Sequence, residues 1–233
     1  MLLIYTHKIT PRNRYIFNVF FKDLLGLQFE LITTLEQWNR FEGAKMSYTI
    51  HPIGDELFFA SRNLLFETGI VEQNISLFDY NQSKVFYSVG NSSALPFDVF
   101  SSAFYLVSRY EEYLPHIRDE HDRFDHTNSI AFQEKFLHSP VINHWAGWIK
   151  DILKKKFTNL KFKEKRFEYI STIDIDNAYA YREKGFTRTI GGYLKSLSEF
   201  NWKDIGLRTR VLFANEKDPY DSYEFQMEMQ RKY

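Results

Sequence analysis

The sequence predicts an α/β protein with a larger N-terminal unit over about residues 1–160 and a shorter unit over 167–233. Three observations carry this. Up to Ile50 the chain alternates strand-like and helix-like segments, the order of an α/β layer. Two apolar-periodic helices are expected further on, near 97–113 and 140–155. A charged stretch from Leu160 to Glu168 then separates them from a segment of different character.

Leu2 to Tyr5 is a short apolar run that suits a buried strand. Thr10-Pro11 starts a helix, with Thr as N-cap and Pro at the first helical position, and the apolar face runs to Gly26 as C-cap. Gln28 to Ile32 alternates like a strand, Thr33 or Thr34 caps a short helix over Leu35 to Phe41, and Met46 to Ile50 alternates again. Between 51 and 90 the strand-like runs are Leu57-Phe58-Phe59 and Val85-Phe86-Tyr87, while Asn63 to Phe66 and Ile75 to Phe78 read as short buried strands or loop anchors. Pro96 marks the next helix start, with Asp98 in a first turn that favours an anion, and Pro115 ends the run. Ser139-Pro140 opens the following helix, whose stripe includes Trp145, Trp148 and Ile149 and whose last turn is Lys154-Lys155-Lys156, complementing the negative helix end. Phe167 to Ile175 reads as a buried strand ending in acids, followed by helices at about 188–199 and 220–232.

Composition excludes several functions. The 233 residues hold no cysteine, so disulfides, thiolate metal sites and cysteine nucleophiles are ruled out. Thirty basic residues balance thirty acidic ones, which argues against a broad nucleic-acid footprint. No apolar run approaches the roughly 18–20 residues of a membrane span, and the N-terminus lacks the basic n-region of a signal peptide, so a cytoplasmic protein is expected. Aromatic residues reach 18%, with 23 Phe and 15 Tyr; they imply a large aromatic core or a stacking surface for sugars or bases.

The strongest chemical signal is Ser171-Thr172-Ile173-Asp174-Ile175-Asp176-Asn177. Residues two apart on a strand share a face, so Asp174 and Asp176 are expected together at the strand's C-terminal end, where α/β folds place their sites. Paired carboxylates suit a hard divalent cation and acid–base work on its bound water; equally, they cap the next helix and face solvent. The segment from Asp119 to His126 is dense in candidate ligands, including His121 and His126, but reads as a solvated loop. Gly191-Gly192 lacks the rest of a phosphate-binding pattern.

Several blocks together carry a resemblance: Leu95-Pro96-Phe97-Asp98, Phe104 to Tyr113 with its Ser-Arg-Tyr-Glu-Glu-Tyr core, Asp119 to Phe124, Phe136 to Ile142 and Ser171 to Asp176. They resemble the polysaccharide-deacetylase-like proteins of Bacteroidetes, in which an N-terminal α/β domain of unknown role precedes a NodB-type catalytic domain. The resemblance implies a mixed α/β domain over 1–160, then the first strand and helices of a truncated NodB-like (β/α) barrel. It implies a metal-dependent hydrolase acting on an acetylated glycan, with Asp174 as general base and Asp176 as ligand to zinc or a similar divalent metal. Ile175 separates acids that are usually adjacent, so on this spacing the two roles are interchangeable. The family's two histidine ligands have no counterpart after Asp176, which implies that this piece is inactive alone, binds no metal tightly and presents an uncovered C-terminal surface open to self-association. The other reading is a non-catalytic module that binds a glycan or a protein, with Arg109, Tyr110, Glu111 and Glu112 marking its surface.

Overall fold

In the computed structural model, which describes residues 1–163 and 166–232, the N-terminal apolar run forms strand β1 (Leu2–Thr6). Helix α1 (Pro11–Phe17) starts at a reciprocal capping box, in which the Thr10 hydroxyl accepts from the Asn13 N–H and the Asn13 side chain accepts from the Thr10 N–H. The helix expected to run to 25 loosens into a π-helical stretch, Asn18–Leu24. Gly26 ends it at φ +59°, where an added Cβ would stand 2.3 Å from the Lys163 Cβ. Strand β2 (Phe29–Ile32), helix α2 (Leu35–Arg40, capped by Thr34) and strands β3 (Ala44–Thr49) and β4 (Leu57–Ala60) follow. The four strands make one parallel sheet in the order β2-β1-β3-β4.

The period of two along β1 divides its side chains between the sheet's faces. Leu2 and Ile4 join Met46 and Tyr48 in the main core with α1, whereas Leu3 packs with Ile32 and Trp38 of α2. Strands β5 (Phe78–Tyr80) and β6 (Ser83–Val85) form a small antiparallel hairpin whose turn residues, Asn81 and Gln82, both take positive φ. Asn63 to Phe66 is a turn that buries Leu64 and Leu65 as anchors, not a strand. The abundant aromatics are largely core. Phe100 on α3 (Val99–Val107) lies 4.8–5.9 Å, ring to ring, from Phe17, Phe20, Phe21, Tyr48 and Phe59, mostly edge to face. Helices α4 (Ile130–Gln133) and α5 (Val141–Lys156) complete this unit, with Trp145, Ile149 and Leu153 of α5 buried and Trp148 half-buried.

The expected helix over 97–113 is shorter. It begins after Asp98, which caps it, so Pro96 lies ahead of the helix. It stops at Val107, because Arg109 enters the left-handed region at φ 53° and the chain continues as a 3₁₀ turn, Tyr110–Tyr113.

Asp98 joins three elements. Its carboxylate accepts from the Ser101 N–H (3.0 Å) in the first turn of α3, from the Arg62 N–H (2.6 Å) beyond β4, and from the Tyr48 hydroxyl (2.9 Å) on β3. Burial pushes the Asp98 carboxyl up despite these donors, and burial beside Asp98 raises the Tyr48 phenol.

The chain divides into two compact units, Met1–Lys165 and Arg166–Tyr233. In the second, α6 (Phe186–Ser198), α7 (Trp202–Phe213) and α8 (Tyr223–Lys232) are helical; the sequence pattern marks α6 and α8 but not α7. Asp204 ties α7 to α6, accepting from Ser196, Tyr181 and Arg208. Asp218 is buried and accepts from the N–H groups of Ala180, Tyr181, Arg182 and Tyr220. Burial alone would raise its carboxyl, but these donors outweigh that and hold it below the ordinary range. The buried strand expected over Phe167 to Ile175 is absent: the segment forms no strand, and Phe167, Tyr169 and Ile170 are largely exposed. The physical reason is pairing, since a strand's backbone needs a neighbour and no strand occurs among the described residues of this unit. Phe186, Phe200 and Phe213 are also exposed.

The Asp98 node predicts a graded response. Asp98→Ala removes the α3 cap and leaves two backbone donors and a phenol unpaired, costing about 3 kcal/mol or more. Tyr48→Phe removes one bond and costs about 1–2 kcal/mol. Because the folded carboxyl value is raised, the stability Asp98 contributes by titration is full below its unfolded value of about 3.9 and is lost as pH rises through the folded value. Asp98→Asn lacks that titration, so the wild-type advantage over it should narrow from pH 4 to pH 7 in urea denaturation followed by near-UV circular dichroism.

Candidate functional site

Three of the five blocks that carry the resemblance, Phe104 to Tyr113, Asp119 to Phe124 and Phe136 to Ile142, converge on one cavity of about 320 Å³. It lies between the end of α3, the 3₁₀ turn, the loop ahead of α4, and the Phe136–Pro140 approach to α5. Its lining draws Arg109, Glu111 and Glu112 from the first block, Phe124 from the second, and Phe136, Leu137 and Ser139 to Ile142 from the third.

The turn divides the labour among consecutive residues. Tyr110 is the anchor: it is buried, stacks on Tyr105 at 5.2 Å, and its hydroxyl donates to the Val71 carbonyl and accepts from the Val71 N–H. Glu111 is half-buried and accepts from the Ile130 N–H at 2.8 Å, fixing the start of α4. Burial, reinforced by the adjacent Glu112, pushes the Glu111 carboxyl up against the effect of that N–H. Arg109 and Glu112 pair with each other at the rim, and the Arg109 side chain is 73% exposed. Tyr113 points outward, 67% exposed.

A non-glycine residue at φ 53° carries a backbone cost of about 1–2 kcal/mol. At Arg109 that conformation turns the chain sharply after α3 and places a guanidinium on the rim. The cavity therefore offers a planar donor, a carboxylate acceptor, the hydroxyls of Ser129 and Ser139, the Asn143 amide and the half-buried Phe124 ring. Both signs of charge are present, so the site suits a neutral polar ligand better than a highly charged one. Ser129 and Asn143 carry no sequence signal; only the chain's return through residues 114–140 brings them to the Arg109 turn.

The other candidates hold their own loops. Asp119 accepts from the N–H groups of His121 and Arg123, and Asp125 caps the 3₁₀ turn His126–Asn128. His121 and His126 are exposed. At the carboxyl end of the parallel sheet, where doubly wound folds bind ligands, Thr49 donates to the His51 carbonyl and Thr10 and Asn13 close on each other.

Asp174 and Asp176 are both exposed, in a stretch with no regular secondary structure. The shared strand face is thus not formed, and neither acid caps a helix. A catalytic zinc needs about three protein ligands. Among the described residues no group of three or more His, Asp or Glu side chains could hold a metal ion, so these two acids do not fit such a site on their own. Among the described residues no helix is long and apolar enough to cross a membrane.

No curated protein and no solved structure matches the chain. A family model, described as a family of unknown function (DUF7033), matches residues 2–158, a span that contains the parallel sheet, the Asp98 node and the whole cavity. With well over half its length matched, the chain belongs to the DUF7033 family.

Proposed function

We propose that the N-terminal unit is a non-catalytic glycan-binding module and that the cavity at Arg109 is its ligand site. The observation that carries this is the strained Arg109 turn, which sets an ion-paired guanidinium and carboxylate at the rim of a partly apolar cavity. Planar donors and acceptors bind pairs of sugar hydroxyls, and an aromatic ring packs against the apolar face of a pyranose. The half-buried Glu111, held protonated more readily than an ordinary carboxyl, adds a group able to donate as well as accept.

The resemblance supplies the wider setting: a module that presents an acetylated glycan to a NodB-like barrel of a metal-dependent deacetylase. Asp174 as base and Asp176 as metal ligand belong to that setting. No catalytic step is assigned to them here, since the described residues do not assemble the metal site.

Two outcomes test the reading. Calorimetric titration of the full chain with tetramers of N-acetylated hexosamine should give saturable binding, and Glu112→Ala should weaken it about tenfold, the scale of one charged hydrogen bond; absence of saturation with acetylated and non-acetylated oligomers alike would remove the glycan assignment. Arg109→Gly should separate binding from folding. Glycine relieves the left-handed strain but adds chain entropy and loses an exposed ion pair, so stability should stay within about 1 kcal/mol. Glycan affinity should nevertheless fall. A stability loss well beyond that, with affinity unchanged, would make Arg109 purely structural.

A further inference from the structure

The geometry points to the open edge of β2 as a docking strip for an extended acidic peptide segment of a partner protein, added as a strand beside Phe29–Ile32. This site is separate from the Arg109 cavity and does not rest on the glycan reading.

Strand β2 lies at the margin of the sheet and pairs only with β1. In a parallel ladder each residue directs its N–H and C=O to the same side, alternating along the strand. The Leu2 N–H donates to the Gln28 carbonyl, so Gln28, Glu30 and Ile32 face β1 while Phe29 and Leu31 present their backbone groups outward. Those outward groups border a groove of about 640 Å³ whose other wall is α1 and its π-helical continuation.

The groove has the layout of a strand-addition site. Phe29 and Leu31, both half-buried on the α1 face, supply an apolar floor for alternate side chains of an incoming strand. Arg14, Asn18 and Lys22 line the helical wall, set along one side by spacings of four residues. Arg14 and Lys22 are exposed and make no ion pair with the described residues, in contrast to Arg40, Arg118 and Arg123, each of which pairs four residues away. Unpaired cations on an edge ordinarily discourage strand pairing. Here they stand across a groove from the edge, not on it, so they repel cationic strands and attract acidic ones. Glu30, in register with Leu3, also lines the groove, which therefore sets two unpaired cations against one carboxylate and stays positive on balance.

The test uses the full chain and a fluorescein-labelled octapeptide alternating valine with aspartate or glutamate, read by fluorescence polarisation and hydrogen exchange. We expect saturable binding, slowed exchange over residues 27–32, and a loss of about tenfold or more for the double variant Arg14→Glu, Lys22→Glu with an unchanged melting temperature. Methylation of alternate peptide amides should abolish binding in one register only. The proposal is overturned by equal binding of the same peptide carrying lysines, by protection elsewhere on the chain, or by no saturation. It is overturned equally if sedimentation shows a dimer that the double variant dissolves while the peptide does not bind, since the occupant would then be a second copy.

Discussion

One buried carboxylate fixes the geometry on which the N-terminal unit depends. Asp98 holds the first turn of α3, the β3 phenol of Tyr48 and the backbone after β4 together, in a place where an ionised group is costly unless its lone pairs are filled. The surrounding aromatic core supplies most of the burial, with Phe100, two residues beyond Asp98, at the centre of its ring contacts. Apolar packing of that kind is tolerant of small rotations. The hydrogen bonds of Asp98 are not, and they set the direction in which α3 leaves the sheet.

That direction matters at the other end of the helix. Nine residues of α3 span about 13 Å, after which Tyr110 is pinned to Val71 and Arg109 is forced into the left-handed region. A rim residue whose backbone is constrained on both sides is pre-organised, and a preformed rim loses less entropy when a ligand arrives. The same scaffold leaves β2 at the margin of the sheet. One rigid core thus presents two surfaces of different chemistry, a mixed-charge cavity and a positive edge groove.

Much of this architecture was legible in the sequence because the signals are local. Thr10-Pro11 and the Thr33-Thr34 pair are read as caps from one side chain and its next neighbours, Asp98 is placed within a turn of the helix start it caps, and the apolar run Leu2 to Tyr5 reads directly as a buried strand. What failed depends on distant partners. Phe167 to Ile175 has a strand's alternation, but alternation specifies a face only once another strand accepts the backbone. The break at Arg109 has no glycine to announce it, and α7 lacks a strong apolar stripe: among its residues only Val211 is buried. The cavity was legible only in part: the Arg-Tyr-Glu-Glu segment, Phe124 and Phe136 to Ile142 stood out as separate blocks, but nothing local showed that they meet or that Ser129, Ala131 and Asn143 join them.

The claim that the Arg109 cavity is the ligand site of the DUF7033 unit is tested most directly by hydrogen exchange of the full chain with and without a saturating N-acetylated hexosamine tetramer. Protection should concentrate at residues 109–112 and 136–143, with the sheet strands unchanged. Protection confined to the carboxyl ends of β1 and β3, or to residues 167–176, would contradict the assignment and place the ligand elsewhere.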